Sequence, residues 1–279
     1  VQSLSMTPLM SQRIIGPELK FEERWMPPTH VETPDAPAKD MSITVGWNTA
    51  QAAGISREDM DAWAARSHQR AIAAIDAGKF VDEILPLKVQ QLDGSVVDFS
   101  VDEHPRRDTT AEKLAELKVL HPEIEGFSIT AGNSSGTNDA CAAVAVVDHA
   151  YAADKGLDVM ATVKAWGAVG VAPRDTGLGG VEVIGKVLGR AGLKPSDVAL
   201  WEINEAFASV PIAACRRYGL DEELVNFSGS GCSLGHPIAA SGARMVTTLI
   251  YELRRRGGGI GVAAMCAGGG QGGAVVIEV

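Results

Sequence analysis

The stretch that decides the fold is Ser228-Gly-Ser-Gly-Cys-Ser-Leu-Gly-His-Pro237, together with Cys266-Ala-Gly-Gly-Gly270 further along the chain. Between the two runs, apolar residues over 238–256 predict a buried helix that begins at the proline. Glycine-flanked apolar runs at 260–266 and 274–279 predict two strands. This closing pair of strands indicates a mixed sheet.

Upstream of this stretch, strand-like and helix-like segments alternate. Residues 159–171 and 198–203 are apolar and predict strands. Residues 181–191, followed by Gly192, and residues 206–218 predict helices. Alternation of this kind is typical of an α/β protein.

The first half of the chain carries one strong helix signal. Ser56 and Asp59 fit a capping box, and apolar residues at helical spacing predict an amphipathic helix that Gly78 ends. Residues 1–50 are rich in Met, Pro and Trp and predict an extended, loop-rich segment. The other predicted elements are strands at 83–89 and 96–101 joined by an Asp93-Gly94 turn, a helix from Asp108-Thr-Thr110 to Leu117, a strand at 127–131 and an Ala-rich helix at 138–154.

Composition limits the classes of function. The 279 residues are 46% hydrophobic and 22% charged, which allows a substantial core. A formal net charge of −10 provides no global field for nucleic acid or an anionic membrane, so neither is an expected partner. The longest apolar run near Cys141 is far short of a membrane span, and residues 1–20 lack a signal-peptide layout, so a cytoplasmic protein is predicted. The four cysteines form no C-x-x-C pair, which predicts reduced thiols and no metal site.

Three side chains are candidates for chemistry. His236 can exchange protons near neutral pH, and Cys266 precedes glycines whose amides can face a developing oxyanion. Asn204 follows a predicted strand directly, where α/β proteins place their ligands. Taken singly, the histidine and the asparagine also fit helix caps, and the cysteine fits a packed core position. Together they indicate acyl transfer on a thioester.

Several motifs then resemble one family. Asn204-Glu-Ala-Phe-Ala208, Gly235-His-Pro237 with Ala240-Ser-Gly-Ala-Arg244, and Cys266-Ala-Gly-Gly-Gly270 occur in the order and approximate spacing of the thiolases. The further motifs that resemble the family are Ser3-Leu-Ser-Met-Thr-Pro8, Asp102-Glu-His-Pro-Arg106-Arg-Asp-Thr-Thr110, and Gly132-Asn-Ser-Ser-Gly136 with Asn138-Asp139. The resemblance runs essentially end to end and includes acetyl-CoA acetyltransferases and 3-ketoacyl-CoA thiolases.

The resemblance implies a thiolase-like fold of αβαβα layers, incomplete in this chain, with a loop-rich α+β insertion domain at the start. Residues 1–135 would form the loop domain that binds coenzyme A. Residues 136–170 would supply the last helix and strand of the N-terminal half, and residues 171–279 the C-terminal domain. Because the chain begins with Val1, it is expected to be processed or to be the later part of a longer polypeptide.

The resemblance also implies roles for four catalytic positions. His236 would take the proton from a nucleophilic cysteine, and Cys266 would move a proton to or from the α-carbon of acetyl-CoA. Asn204 would fix a water that, with His236, binds the thioester oxygen. The backbone amide of Gly268 would help to form a second oxyanion hole.

Three further positions would contact coenzyme A, namely Arg106, Ala131 and Ser135. The sequence leaves open whether Arg106 or Arg107 meets the nucleotide. Coenzyme A and acetyl-CoA are the expected substrates, no permanently bound cofactor is implied, and the family suggests a role in fatty acid and lipid metabolism. A homo-oligomer, or a complex with the missing N-terminal half, is the expected assembly.

The nucleophilic cysteine of the family has no counterpart in this chain. Family members carry it in an N-terminal region that precedes the first residue here. Cys141 and Cys215 are predicted to lie on helices, and Cys232 is interpreted as packing. Full turnover is therefore expected to need residues outside this chain.

Two other functions remain open at this stage. A coenzyme A-binding subunit or fragment without catalysis would keep the same contacts. A serine hydrolase would use Ser134 with His236, because Gly132-Asn-Ser-Ser-Gly136 satisfies G-x-S-x-G between a predicted strand and helix. The hydrolase leaves Asn204 and Cys266 without a role. Within the thiolase interpretation, acyl chain length and the direction of reaction stay open.

Overall fold

A computed structural model describes residue 3, the backbone of residues 10–14 and 20–24, and residues 28–279. Of the motif from Ser3 to Pro8, only Ser3 is among the described residues. Where residues 1–50 are described, they include two strands and a helical stretch that begins at residue 42. The prediction of an extended, loop-rich segment is therefore wrong from Ser42 onward, because no proline lies between Pro37 and residue 50 and the chain is free to turn into helix there.

The strands are β1 (Met10–Ile14), β2 (Lys20–Arg24), β3 (Leu87–Gln90), β4 (Val96–Phe99), β5 (Thr162–Gly170), β6 (Leu200–Ile203), β7 (Ile260–Ala267) and β8 (Gln271–Glu278). The helices are α1 (Asn48–Ala53), α2 (Arg57–Asp76), α3 (Ala111–Ala115), α4 (His149–Lys155), α5 (Thr176–Ala191), α6 (Ser209–Tyr218), α7 (Gly231–Leu234) and α8 (Ile238–Arg255), with a π-helical turn at Ser42–Trp47 before α1. None of the helices in the described parts of the chain is both long and apolar enough to cross a membrane.

The central feature is a four-stranded mixed sheet with strand order β5-β8-β7-β6. Strand β7 pairs parallel with β6 and antiparallel with β8, and β8 pairs antiparallel with β5. Side chains alternate between the faces of a strand. Val262 and Ala264 accordingly pack in the core with α5, whereas Ala263 packs with Met245 and Leu249 of α8. Helices α5 and α8 therefore cover opposite faces, as in a layered α/β protein.

Helix α2 starts where the sequence predicts and is tied to the sheet by a buried carboxylate. The Ser56 hydroxyl accepts from the Asp59 N–H, and the Asp59 carboxylate accepts from the Ser56 N–H, both at 3.1 Å. Fully buried Glu205, just after β6, accepts from Trp63 Nε1 at 2.8 Å and from Ser67 Oγ at 2.6 Å. Two more donors, Asn226 Nδ2 and the Cys232 N–H, complete its shell. Such a shell makes a buried carboxylate tolerable.

One predicted element is absent, and another is much shorter than predicted. Residues 127–131 form no strand, because their backbone makes one isolated bridge, between Val119 and Thr130, and is otherwise held by side chains. The predicted helix at 138–154 exists only as α4, which Asp148 caps. Residues 139–147 are extended and mostly exposed, whereas most helix stability comes from burying an apolar face.

Candidate active site

Asn204 follows β6 directly, and its side chain has no hydrogen-bond partner in the part of the chain that the structure describes. Its backbone N–H donates to the Ala264 carbonyl oxygen of the neighbouring strand at 2.9 Å. The residue is fully buried, yet neither Oδ1 nor Nδ2 finds a partner among the described residues. Because an unpaired buried amide costs free energy, this side chain offers both a donor and an acceptor to a water or a ligand.

His236 lies between α7 and α8, and Ser241 fixes the orientation of its ring. The Nδ1 atom lies 2.7 Å from Ser241 Oγ. The Ser241 hydroxyl also lies 3.1 Å from the Pro237 carbonyl oxygen, which can only accept. In the arrangement that makes both bonds, the hydroxyl donates to Pro237 and accepts from Nδ1–H, and Nε2 carries the lone pair that a general base needs.

A guanidinium held by a buried glutamate acts on this histidine. Arg244 Nη1 donates to Glu202 Oε2 at 2.7 Å, and Nη2 donates to Ser230 Oγ at 2.9 Å. Burial, and after it the Arg244 charge, lowers the pKa of His236 to about 4. Burial also raises the pKa of Glu202 to about 7, although Arg244 opposes that shift. His236 is thus uncharged at neutral pH.

Cys266 lies near the end of β7, and Gly268 opens the turn into β8. Burial raises the pKa of the Cys266 thiol to about 11, so the thiol keeps its proton at neutral pH. The turn has positive φ angles of 81° at Gly269 and 83° at Gly270, which a glycine adopts without strain. At neutral pH, His236 is therefore an uncharged base and Cys266 an uncharged acid.

The hairpin that carries Cys266 rests on glycines of α5. A Cβ atom on Gly180 would lie 2.9 Å from the Cys266 backbone nitrogen, and one on Gly179 would lie 2.5 Å from the Gln271 carbonyl oxygen. A Cβ atom on Gly272 would collide with the Gly179 carbonyl oxygen. Helix and hairpin can approach this closely only because these residues have no side chain.

Ala131 and Ser135 lie on a loop that runs alongside the segment following Asn204. The Ser135 N–H donates to the Ala206 carbonyl oxygen at 2.9 Å, and a second backbone bond joins the same two segments. Ala131 is exposed and Ser135 is partly exposed. Both positions are therefore accessible from solvent.

Asn138 joins this loop to His236. The His236 N–H donates to Asn138 Oδ1 at 3.1 Å. The Asn138 side chain also lies against Gly235, where φ is 89° and any added Cβ atom would collide with the amide. One asparagine thus fixes the backbone on which the imidazole is mounted.

Ser134 has the geometry of a structural turn residue. Its hydroxyl is buried and donates to the Thr130 carbonyl oxygen at 2.5 Å. His236 is bonded to Ser241 instead. A serine nucleophile needs a base within hydrogen-bond reach, so the geometry gives the hydrolase alternative no support.

Two family models match the chain. Residues 4–150 match the thiolase N-terminal domain, and residues 157–279 match the thiolase C-terminal domain. The chain belongs to the thiolase family. The C-terminal match contains Asn204, His236 and Cys266.

Individual thiolases agree with this assignment. The chain is 44% identical to an acetyl-CoA acetyltransferase of Pseudomonas aeruginosa over 85% of the chain and 60% of the relative. It is 38% identical to a 3-ketoacyl-CoA thiolase of Bacillus subtilis over 100% of the chain and 70% of the relative. The crystal structure of human mitochondrial 3-ketoacyl-CoA thiolase superposes with a TM-score of 0.85 at 34% identity, over 99% of this chain and 69% of that one. These matches confirm the thiolase-like α/β fold.

The chain spans about 60% of the length of the acetyl-CoA acetyltransferases from Pseudomonas aeruginosa and Allochromatium vinosum. The second of these is 43% identical over 84% of this chain.

The two adjacent arginines of the thiolase motif at 102–110 have different surroundings. Arg107 makes a two-pronged ion pair with Asp76, at 2.6 and 2.8 Å. Arg106 is exposed, and its guanidinium pairs with no carboxylate among the described residues. Of the two, Arg106 is the one whose charge is available to a phosphate.

The four cysteines are free thiols with different environments. Burial raises the pKa of Cys215 to about 12 and that of Cys232 well above its usual range, with Glu222 and Glu205 respectively adding to the effect. Cys141 is exposed on an extended segment, so its predicted place in a helix is wrong. Across residues 28–279, no cluster of His, Cys, Asp and Glu is arranged to hold a metal ion.

Sequence reasoning missed the residues that support the thiolase motifs. Ser241 and Arg244 were part of a motif but had no role, and Asn138 lies 98 residues away from the histidine it holds. The sequence signal for Ser241 is its position in the first turn of α8, directly after Gly235-His-Pro237. No sequence signal connects Asn138 to His236.

Proposed function

We propose that the chain supplies the acid, base and oxyanion-binding groups of a thiolase-type acyltransferase acting on acyl-CoA and coenzyme A. The observation that carries the proposal is the fully buried Asn204 amide with neither polar atom paired. A ligated water or thioester oxygen would satisfy it. The neutral His236 base and the protonated Cys266 thiol supply the two proton positions that the reaction needs.

The proposed thiolysis has two balanced steps. A cysteine sulfur forms a bond to the 3-keto carbon while His236 Nε2 accepts the thiol proton. The bond between that carbon and the α-carbon breaks, and the α-carbon takes a proton from Cys266, which releases acetyl-CoA. The coenzyme A thiol then gives its proton to the Cys266 thiolate and its sulfur attacks the acyl-cysteine carbonyl carbon. The bond from that carbon to the cysteine sulfur breaks, the cysteine takes back the proton held by His236, and the shortened acyl-CoA is released. Claisen condensation is the same sequence reversed.

The nucleophile in this proposal lies outside the 279 residues. Cys215 and Cys232 are buried with raised pKa values, and Cys266 has the acid role. Cys141 is exposed, and its thiol bonds to no histidine among the described residues. A thiolate nucleophile needs a nearby base or cation that lowers its pKa. Arg66 and Arg70 act in this direction on Cys215, but burial outweighs them.

The remaining assignments belong to the same proposal. Arg106, Ala131 and Ser135 contact coenzyme A, and the amide of Gly268 contributes to an oxyanion hole. The units are a loop domain at 1–135, the end of the N-terminal half at 136–170 and a C-terminal domain at 171–279. The protein works in the cytoplasm, in fatty acid metabolism, as an oligomer or with a partner that carries the nucleophile.

The test is thiolysis of acetoacetyl-CoA with coenzyme A in excess, first with the purified chain alone. No turnover is expected. Addition of a separate thiolase segment bearing the cysteine is expected to give turnover that a His236→Ala variant loses by at least a hundredfold, because the general base contributes about 10²–10⁴. The exposed His149→Ala variant is the matched control. Unchanged turnover in His236→Ala would refute the proposed role.

A second candidate is a coenzyme A-binding chain without catalysis. It is favoured by the same absence of a suitable cysteine nucleophile among the four thiols. Calorimetric binding of coenzyme A with no turnover, even after the cysteine-bearing segment is added, would support this candidate over the first.

A further inference from the structure

Two histidines outside the thiolase motifs of Asn204, His236 and Cys266 hold the segment that presents Arg106. His104 Nδ1 lies 2.7 Å from the Ser233 carbonyl oxygen, which can only accept, so the ring donates from Nδ1. The Arg106 N–H donates to His68 Nδ1 at 3.1 Å. The segment 104–106, which we name the strap, is thus pinned at both ends.

The pinning has specific geometry. The rings of His68 and His104 stack, with centroids 6.2 Å apart and planes 16° from parallel. The His104 ring also lies so close to Gly136 that a Cβ atom there would collide with Nε2. Pro105, between the two anchored residues, fixes its own φ angle. The strap therefore has little freedom to move relative to the loop that carries His236.

His68 can accept this hydrogen bond only while it is neutral. The residue is buried on α2, whose next-door Ser67 is bonded to Glu205. Burial, followed by the charges of His104 and Arg106, lowers the pKa of His68 to about 4. Its Nδ1 lone pair is therefore available throughout the neutral range.

We propose that His68 is a positioning residue for coenzyme A binding, because its Nδ1 holds the Arg106 backbone so that the free guanidinium faces the nucleotide phosphates. The inference rests on the proposed coenzyme A contact of Arg106. His68 itself touches no ligand in this proposal. Its loss is expected to weaken binding of the nucleotide part and to leave binding of the pantetheine part unchanged.

The test is calorimetric titration of the full chain with coenzyme A and, separately, with pantetheine, which lacks the nucleotide. His68→Leu keeps the approximate volume and removes the acceptor, whereas His68→Asn places an amide oxygen where Nδ1 was. Leu at this position is expected to weaken coenzyme A binding about five- to tenfold, as for one lost hydrogen bond. His68→Asn is expected to stay within about twofold of wild type.

Arginine variants complete the cycle. Arg106→Ala is expected to weaken coenzyme A binding, and His68→Leu should then have no further effect, since both act through one guanidinium. Arg107→Ala removes the arginine that pairs with Asp76. It is the matched control and should change coenzyme A binding little. Hydrogen exchange at the Arg106 amide should accelerate in His68→Leu while α3 stays unchanged, which distinguishes strap release from general unfolding.

The outcomes distinguish failure of the Arg106 contact with coenzyme A from failure of the positioning role of His68. If Arg106→Ala weakens coenzyme A binding and His68→Leu does not, the inference about His68 is overturned and the proposed contact stands. An equal loss for coenzyme A and pantetheine in His68→Leu, or additive effects with Arg106→Ala, would also overturn it. If the wild-type chain shows no nucleotide-dependent binding, or if Arg106→Ala binds coenzyme A as tightly as wild type, the proposed contact is overturned and the inference with it.

Discussion

At the scale of single residues, the site depends on bonds that fix protons rather than on charged side chains. His236 and Cys266 are both uncharged at neutral pH, and burial is the main cause of both pKa shifts. Such groups can exchange protons with a substrate without first losing a counter-ion. For His236, the nitrogen that can accept a proton is the one without hydrogen, and the bond to Ser241 determines which nitrogen that is.

The Ser241 bond is directly testable. In Ser241→Ala the Nδ1–H loses its acceptor, so the imidazole is expected to shift toward the Nε2–H form and to lose about tenfold in turnover wherever His236 acts as base. Long-range proton–nitrogen NMR of the ring measures the tautomer without any need for turnover. Ser241→Thr keeps the hydroxyl and should keep the wild-type spectrum. An unchanged spectrum in Ser241→Ala would contradict the assignment.

At the scale of secondary-structure elements, local signals predicted the elements that carry their own boundaries. Helix α2 has its capping box, α5 ends at Gly192 in the left-handed conformation, and β3 and β4 pair across the predicted turn. The places of Asn204 after a strand, His236 before a helix and Cys266 near a strand end could also be predicted from their neighbours in sequence, whereas their roles stay predictions.

The predicted elements that the structure does not contain depend on contacts between residues that are distant in sequence. Residues 127–130 are buried, but side chains of the following turn satisfy the Thr130 backbone, so no ladder forms. Residues 139–147 are Ala-rich but mostly exposed, and most helix stability comes from packing. The strap and the Asn138 contact likewise join residues far apart in sequence, which a local pattern does not encode.

The glycines beneath the hairpin of Cys266 give a prediction at this scale. Gly179→Ala would press a methyl group into the Gln271 backbone and is expected to lower the free energy of unfolding by about 1–3 kcal/mol, the usual cost of overpacking. Gly189→Ala, on the same helix with nothing within 4 Å, should instead stabilise by about 0.4–1 kcal/mol. Urea unfolding measures both. Equal effects of the two substitutions would contradict the close-packing explanation.

At the scale of the whole molecule, buried titratable groups with opposite shifts control how stability depends on pH. His68 and His236 have pKa values lowered to about 4, so the stability they contribute is present above about pH 6.5 and is lost as pH falls toward 4. Glu202 has a pKa raised to about 7, so its contribution is full below about pH 4.5 and is lost as pH rises through 7.

Two variants separate these opposing effects in urea unfolding between pH 8 and pH 5. Over that fall, wild type loses stability through His68 and gains it through Glu202, each by at most about 1.4 kcal/mol per pH unit. Relative to wild type, the free energy of unfolding of His68→Asn should therefore rise as pH falls, whereas that of Glu202→Gln should fall. The exposed His149→Asn should follow wild type at every pH. If His68→Asn and Glu202→Gln deviate from wild type in the same direction, at least one of the two buried groups has the opposite pKa shift in the folded chain, and burial does not set its charge as described.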